Sequence, residues 1–491
     1  NFDQFDRPIA GAINFCLDQI SLDEDGTAHE SIVQDNVDVA IHEAAHVFGM
    51  SSNSYRYYWD PVTAEPRTRR PFIPSMATCV DGSKRMLALP DTNTLEFLEA
   101  ENGQRYATIV TPTVRTVARN QFNCDDLEGG QLENQPTGAS SCTGDHWEER
   151  LYYPESLSGV ISPTTVILSP LTLALLEDSG WYSANYAQSR VSPWGHGAGC
   201  DFIRKPCVQT DLTGQTFIPD YGKGYFCLKA NEKGCSPSHF YKMGCTLLDY
   251  SLLASNPSPP EQFQYFPNNP GYGGMRQADY CPVFGSSYKT NTHQLDCRDP
   301  KNGAAVSLYT EVYGENSTCF ETSAGVGRCY ESRCNIDDFV LEVKAGKEWR
   351  TCTSDFQKIE VIGAGGVLNS EITCPRLSMV CPDMFCPGNC AGRGTCNYQA
   401  EVNGTIRPQC ECFDSEDTSI GCSDTVTLDG RYIKDGTGLI NDIRSDFFGP
   451  LIAVFTDDPN DWERASWVWA SAILAAFLLF VLCVCSSLCP K

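Results

Sequence analysis

"HEAAHVFGM", the stretch from His42 to Met50, decides how the rest of the chain is interpreted. Its two histidines lie four residues apart, and on an α-helix that spacing places both rings on one face, where they can bind one metal ion. Glu43 lies beside them, where a carboxylate can take a proton from a metal-bound water without being a ligand itself. Residues 30–50 carry apolar side chains at helical spacing, so we expect a helix there. The stretch therefore predicts half of a Zn²⁺ site, which needs a third protein ligand from elsewhere.

The pattern H-E-x-x-H also arises by chance, and the alternative is an exposed helix face with two hydrogen-bonded histidines. In the metzincin class of zinc proteases the motif continues with a glycine, which permits a sharp turn, and a third histidine three residues later. Gly49 occupies the glycine position, but Ser52 stands where that third histidine would be. The third ligand is therefore expected outside the contiguous motif.

Composition limits the class of protein. The 491 residues carry a formal net charge of -26, and acidic residues are spread along the chain, so we expect no nucleic-acid partner. Of the 26 cysteines, 23 lie between Cys16 and Cys422, which indicates an oxidising compartment and a disulfide framework. Sequons at Asn316 and Asn403 predict N-glycosylation and agree with secretion.

Twenty-three is an odd number, so one of these cysteines lacks a partner within the chain. Only 41 residues precede His42. We therefore expect that the N-terminal part of the first domain is missing, and Cys16 is the best candidate for having lost its partner.

The C-terminal region predicts a membrane anchor. Residues 465–488 hold no charge over 24 positions, and at ~1.5 Å rise per residue such a helix spans a bilayer core. Trp462, Trp467 and Trp469 lie at its start, where interfacial aromatics are typical. We expect a single-pass protein of the plasma membrane or another surface membrane, with an extracellular ectodomain. The alternative is a lipid-anchor signal that is removed.

Two further segments have clear local signals. "SPLTLALLEDSGWY" predicts a helix with Ser169 as N-cap, Pro170 at its first position and Gly180 just after its end. Residues 386–422 read C-x3-C-x5-C-x13-C-x-C-x9-C, which resembles an EGF-like module. That resemblance implies the disulfides Cys386–Cys396, Cys390–Cys410 and Cys412–Cys422. Such modules are usually spacers or contact surfaces, and we expect no catalytic role here.

The chain resembles the leishmanolysin-like proteases, metzincins in which an insertion separates the third histidine from the motif. Four blocks carry the resemblance: "RPIAGAINF" from Arg7, "GDHWEERLYYPESLSG" from Gly144, "PWGHGAGCDF" from Pro193 and "YGGMRQADYCPVF" from Tyr272. By resemblance the second block holds the third ligand, His146. His196, His29 and the histidines of the Cys-rich region are the competitors, and we interpret each as a surface or packing residue.

The sequence departs from the family at two points. The Met-turn methionine, which packs beneath the zinc site, should stand 11 residues after His146, and that residue is Leu157. Leucine nearly conserves the volume, a change that usually costs less than ~1.5 kcal/mol, so we expect the metal still to bind. The second departure is in length. The family has a longer N-terminal part, with a substrate-binding sheet and a pro-segment, and neither is visible in this sequence.

The expected fold is α+β, with a metzincin-type zinc protease core followed by a disulfide-rich domain, an EGF-like module and one C-terminal transmembrane helix. The expected divisions are a catalytic domain at 1–198, a leishmanolysin-type Cys-rich domain at 199–380, an EGF-like module at 381–422, a juxtamembrane stalk at 423–464 and a transmembrane helix at 465–488.

The resemblance implies a cell-surface zinc endopeptidase with Zn²⁺ as cofactor and extracellular proteins or peptides as substrates. The alternative is a surface coat or adhesion protein on a retained scaffold, with weak or no activity and other surface proteins as partners. The intact ligands and Glu43 favour the enzyme, since a half-kept site gives no activity. A zinc site kept for stability alone would need four protein ligands.

Overall fold

The computed structural model describes residues 2–14, 30–138, 140–160, 166–253, 258–286, 295–303, 309–362, 368–402, 404–423, 425–426 and 432–433. Within these residues helices and antiparallel strands alternate irregularly along the chain. The mixed α and β composition and the many disulfides confirm that part of the expected fold class.

Six α-helices are described: α1 Glu30–Phe48, α2 Pro112–Phe122, α3 Glu149–Tyr152, α4 Pro170–Asp178, α5 Cys200–Arg204 and α6 Leu377–Val380. Helix α4 begins as the sequence predicted, because the Ser169 side chain accepts a hydrogen bond from the Leu171 N–H and Pro170 fills the first position. Gly180 follows the helix with φ +75°, a conformation that favours glycine. Helix α1 carries the two motif histidines, and of its apolar side chains Val33, Val37 and Phe48 are exposed while Ala45 is buried.

Most of the described strands are short, and those of six residues or more lie between residues 317 and 373. The first twelve are β1 Ser75–Thr78, β2 Lys84–Leu87, β3 Leu95–Glu99, β4 Arg105–Ile109, β5 Gly130–Gln131, β6 Gln209–Thr210, β7 Thr216–Phe217, β8 Lys233–Cys235, β9 Lys242–Cys245, β10 Leu248–Asp249, β11 Tyr272–Gly273 and β12 Phe284–Ser286. The others are β13 Ser317–Thr322, β14 Gly327–Asn335, β15 Val340–Ala345, β16 Glu348–Cys352, β17 Lys358–Ile362, β18 Leu368–Thr373, β19 Gly394–Asn397, β20 Glu401–Val402, β21 Thr405–Ile406, β22 Gln409–Cys412, β23 Thr425–Val426 and β24 Tyr432–Ile433.

The largest sheet has six strands in the order β16-β15-β14-β13-β18-β17. Two three-stranded sheets have the orders β3-β4-β5 and β12-β9-β8, and the remaining strands form two-stranded ribbons. Strand β4 pairs with β5 antiparallel, with Thr108 opposite Gln131, and this pairing brings the chain to the segment that holds His146.

The main apolar core lies between helices α2 and α4 and the segment 147–157. Val114, Val117 and Phe122 of α2 are fully buried there, as are Trp147 and Leu157. Helix α2 is tied to the end of α4, because the Asp178 carboxylate accepts hydrogen bonds from the backbone N–H groups of Thr113 and Val114. The segment that follows His146 is thus packed inside the core rather than at its surface.

Every cysteine from Cys79 to Cys422 is disulfide-bonded, in eleven pairs. The pairs within 386–422 are Cys386–Cys396, Cys390–Cys410 and Cys412–Cys422, the pairing that the EGF-like resemblance implied. Cys16 lies outside the described residues.

Residues 1–422 form one compact unit, and residues 423–491 form a second unit in which only Ser423 and the short hairpin of β23 and β24 are described. The predicted transmembrane helix, 465–488, and most of the predicted stalk lie outside the described residues. Among the helices that the structure describes, none is both long enough and apolar enough to cross a bilayer.

Candidate metal centre

Three histidines meet at one point of the structure. His42 and His46 come from adjacent turns of α1, and their Nε2 atoms lie 3.1 Å apart. The His146 ring joins them from the other side, with centroid distances of 5.1 Å to His42 and 5.0 Å to His46. One ring nitrogen of each residue lies within 4.8 Å of the others, an arrangement that fits a metal site with three histidine ligands.

The opposite nitrogen of each ring is held by a hydrogen-bond acceptor. His42 Nδ1 donates to the Ser156 carbonyl at 2.5 Å, and His46 Nδ1 donates to the Met50 carbonyl at 2.7 Å. His146 Nδ1 donates to Oε1 of Glu133 at 2.8 Å. An acceptor at Nδ1 fixes the proton there and leaves the Nε2 lone pair free for a metal. The three residues therefore fit a zinc ion in both position and tautomer.

The pKa values of His42 and His146 are shifted in opposite directions. Burial lowers the pKa of His42, and the nearby His46 and His146 act in the same direction. Burial also acts to lower the pKa of His146, but the hydrogen bond and charge of Glu133 outweigh it, so the pKa of His146 is raised. A negative partner at Nδ1 increases the electron density of a ligating ring. Glu43 is exposed beside the cluster, and its charge reaches both His42 and His146.

Gly49 makes the turn that ends α1. Its φ is +140°, and a Cβ there would lie 2.9 Å from Cζ3 of Trp181. The turn points the Met50 carbonyl back to His46 and leads to Ser52, the position of the third histidine in a contiguous motif. Ser52 instead donates its backbone N–H to the Asp145 carboxylate at 2.5 Å. Asp145, the residue before His146, therefore hydrogen-bonds to Ser52, which stands where a contiguous motif would carry its third histidine.

Leu157 is fully buried in the turn that contacts two of the ligand-bearing segments. Its carbonyl accepts a hydrogen bond of 2.8 Å from the Trp147 N–H, and Trp147 directly follows His146. The preceding residue, Ser156, supplies the carbonyl that binds His42. The residue predicted to stand at the Met-turn position therefore lies in a turn bonded to the metal centre.

Glu133, Asp145 and Ser156 are site residues that the sequence analysis missed. Glu133 has room beside His146 because Gly144 lacks a side chain, since a Cβ there would lie 1.8 Å from Cγ of Glu133. The pairing of Glu133 with His146 spans 13 residues and follows no known motif spacing. Asp145 was the accessible signal, because it is an acidic residue directly before the candidate ligand.

The other predicted positions lie apart from the metal centre. His196 packs on Phe385 and Tyr398, and His239 is bonded to the Cys319 carbonyl. Burial lowers the pKa of each of these histidines to about 4, which is typical of packing residues. His29 and His293 lie outside the described residues, as does the sequon residue Asn403. Asn316, the other sequon residue, is exposed.

Two other groups of side chains among the described residues have the spacing of metal ligands, and both consist mainly of disulfide-bonded cysteines. They are Cys386, Cys390 and Cys410, and Cys124, Asp126 and Cys200. A cysteine in a disulfide has no thiolate to offer a metal. The three-histidine cluster is therefore the metal-competent group that the described residues offer.

Comparison with known proteins agrees with this geometry. A family model described as leishmanolysin matches residues 1–387. The chain is 31% identical over 425 residues to a leishmanolysin-like peptidase of Caenorhabditis elegans, covering 77% of this chain and 61% of that relative. It is 30% identical to a ciliated left-right organizer metallopeptidase of Xenopus laevis, covering 77% of this chain and 43% of that protein. It is 25% identical to a leishmanolysin of Leishmania tropica, covering 56% and 42%. The chain thus spans less than two thirds of the length of each of these relatives.

Proposed function

The chain belongs to the leishmanolysin family, and on that premise we propose that it is a zinc-dependent endopeptidase that hydrolyses peptide bonds of extracellular proteins. The observation that carries the proposal is the convergence of His42, His46 and His146, with each Nδ1 bound to an acceptor. Three protein ligands and an open position are typical of catalytic zinc, whereas structural zinc takes four protein ligands.

The three histidines would hold the ion through Nε2. When bound, zinc polarises the peptide carbonyl as a Lewis acid and lowers the pKa of a bound water. The backbone carbonyls of Ser156 and Met50, with the carboxylate of Glu133, keep the three rings in the tautomer and orientation that this requires. The three histidine side chains therefore need little reorganisation when the ion binds.

Glu43 is the proposed general base. It follows His42 on α1, it is exposed, and its charge acts on His42 and His146, which supports a place for its carboxylate near the ligand set. From there it can take a proton from the attacking water and pass it to the leaving amine. An exposed carboxylate beside the three imidazoles is available for this exchange in a way that a buried, hydrogen-bonded carboxylate such as Glu133 is not.

Leu157 supports the site as packing. The turn around it is held by its own backbone, through the bonds of Ser156 to His42 and of Leu157 to Trp147. A leucine fills nearly the volume of a methionine, and neither side chain is a ligand in this proposal. We infer that the departure at Leu157 leaves metal binding intact.

The proposal extends to the surroundings of the enzyme. Residues 1–198 would supply the catalytic domain, 199–380 the Cys-rich domain and 381–422 the EGF-like module. Residues 423–464 and 465–488 would supply a stalk and a membrane helix, which would place the ectodomain at a cell surface with N-glycans at Asn316 and Asn403. The exposed Asn316 and the dense disulfide framework agree with an extracellular location.

The test is cleavage of a quenched peptide library by the full chain, produced through a secretory pathway, with and without a zinc chelator. We expect cleavage that the chelator removes and that zinc restores. The matched variant Glu43→Ala should bind one zinc per chain and cut nothing above background. One bound zinc per wild-type chain without any cleavage would overturn the protease proposal and favour a surface scaffold.

A further inference from the structure

Glu155 is a buried carboxylate that the proposed chemistry does not use. It is 2% exposed, and it has no ion-pair partner within the residues that the structure describes. Its Oε1 accepts hydrogen bonds from Thr172 Oγ1 at 2.6 Å, Ser169 Oγ at 2.9 Å and the Ser169 N–H at 3.3 Å. Its Oε2 accepts from the Leu157 N–H. Burial raises its pKa to about 7, while these four donors act in the opposite direction.

Two of these bonds, those from Thr172 and from the Leu157 N–H, belong to a closed ring of four residues. The Trp147 indole Nε1–H donates to Thr172 Oγ1 at 2.9 Å, and Thr172 Oγ1 donates to Glu155. The Leu157 N–H donates to the other oxygen of Glu155, and the Leu157 carbonyl accepts from the Trp147 N–H at 2.8 Å. All four residues are 2% exposed or less. Each hydrogen bond is therefore shielded from water, and a buried ring of this kind fixes the relative position of its members.

The ring contacts two of the three metal-site histidines through the backbone. Trp147 directly follows His146, so its two hydrogen bonds limit the path of the chain at that ligand. Ser156 lies between Glu155 and Leu157, and its carbonyl accepts from His42 Nδ1. One carboxylate thus connects the segment carrying His146 with the carbonyl that orients His42.

We propose that Glu155 is a positioning residue for the metal centre, setting the alignment of His42 and His146 through the ring that it forms with Trp147, Thr172 and Leu157. The inference rests on the proposed function only in taking the three histidines as metal ligands. A carboxylate suits this role because both of its oxygens accept hydrogen bonds, so all four donors are satisfied. A glutamine has only one oxygen, and its NH₂ group would face the donors on the other side. Supporting groups of this kind typically change metal affinity by about 10–100-fold.

The experiment measures metal affinity rather than cleavage. Zn²⁺ affinity is obtained by chelator competition, and the Co²⁺-substituted protein is followed by its visible absorption, which reports the ligand geometry. Glu155→Gln is expected to weaken Zn²⁺ binding by about 10–100-fold and to change the Co²⁺ spectrum. Thr172→Val, which keeps the volume and removes the hydroxyl, should act in the same direction. Thr172→Ser keeps the hydroxyl and should restore affinity to within about threefold of the wild type.

Asp178→Asn is the matched control. Asp178 is also a buried carboxylate that accepts backbone N–H groups, those of Thr113 and Val114, but it bonds to no member of the ring. It should lower the melting temperature without changing Zn²⁺ affinity or the Co²⁺ spectrum. If Glu155→Gln does not fold, the pair Thr172→Val and Thr172→Ser decides the question.

The inference is overturned if the ring variants bind Zn²⁺ with wild-type affinity and give the wild-type Co²⁺ spectrum. It is also overturned if Asp178→Asn weakens metal binding as much as they do, because the effect would then reflect stability alone. Failure of the protease proposal is a separate result, in which the wild type binds zinc and cuts no peptide.

Discussion

Replacing Asn120 with alanine is expected to destabilise the whole unit 1–422, including the metal centre. Asn120 lies on α2 and is 3% exposed, and its side chain hydrogen-bonds to residues 386–422, the proposed EGF-like module. Its Nδ2 donates to the carbonyls of Asn389 and Gly394, each at 2.9 Å, and its Oδ1 accepts from the Cys396 N–H at 2.9 Å. Truncation leaves these three buried backbone groups without their partner, at about 1–1.5 kcal/mol each, so we expect a loss of about 3–4.5 kcal/mol.

The size of this effect matters because the same helix supports the site. Helix α2 packs against α4 in the main apolar core, and Ser169 and Thr172, at the N-terminal end of α4, donate hydrogen bonds to Glu155. The module is thus joined to the metal centre through two helices. A module that serves only as a spacer, as EGF-like segments usually do, would not transmit this loss.

The assay is urea unfolding of the disulfide-intact protein, followed by near-ultraviolet circular dichroism and by zinc release. We expect Asn120→Ala to shift both signals together to lower urea. Thr116→Ala, on the same helix with its hydroxyl bonded to the Pro112 carbonyl of its own first turn, should change stability by less than about 0.5 kcal/mol. Wild-type stability of Asn120→Ala, or a separate early transition of the module without zinc release, would refute the reasoning.

Four other outcomes are expected. Glu133→Gln removes the negative partner of His146 and should weaken Zn²⁺ binding by about 10–100-fold in chelator competition; unchanged affinity would contradict the role of that hydrogen bond. Gly49→Ala should cost about 2–4 kcal/mol in urea unfolding, because φ is +140° and the new Cβ meets Trp181; full stability would show that the turn is not constrained. Leu157→Met should change stability by less than ~1.5 kcal/mol and leave Zn²⁺ affinity within about threefold, and a larger gain in affinity would show that leucine impairs the site. Removal of metal should lower the free energy of unfolding by about 4 kcal/mol relative to protein at a zinc concentration 1,000 times the dissociation constant; a melting temperature that zinc does not change would contradict metal binding to the folded state.

The sequence predicted best what is encoded within a few residues. Helix α4 could be placed to the residue, because Ser169, Pro170 and Gly180 act on adjacent backbone groups. The two histidines of α1 follow from helical spacing alone. His146 could be named only through resemblance, since a separation of 100 residues from His46 carries no local signal.

The residues that hydrogen-bond to the metal-site histidines and to Ser52 were harder to predict than the histidines themselves. Glu133 is an ordinary acidic residue in an acidic chain, and nothing in its spacing shows that it bonds to His146. Asp145 could be singled out only as the neighbour of His146, and its position does not show that it accepts from the Ser52 N–H. The cysteines behave similarly. The pairs within 386–422 could be named only because the segment resembles an EGF-like module, whereas for a pair such as Cys79–Cys142, 63 residues apart, no resemblance was available and the pairing depends on where the chain folds back.

The sensitive points of the metal centre differ from the point at which the sequence departs from its family. His42 and His46 are oriented by the carbonyls of Ser156 and Met50, and a carbonyl is present whatever side chain the residue carries. A leucine at 157 can therefore replace methionine while the hydrogen bonds to the rings persist. Side-chain identity matters where the acceptor is itself a side chain, at Glu133, and where the path of the backbone depends on a carboxylate, at Glu155. Loss of metal binding should accordingly follow changes at these two acids before it follows changes at Leu157.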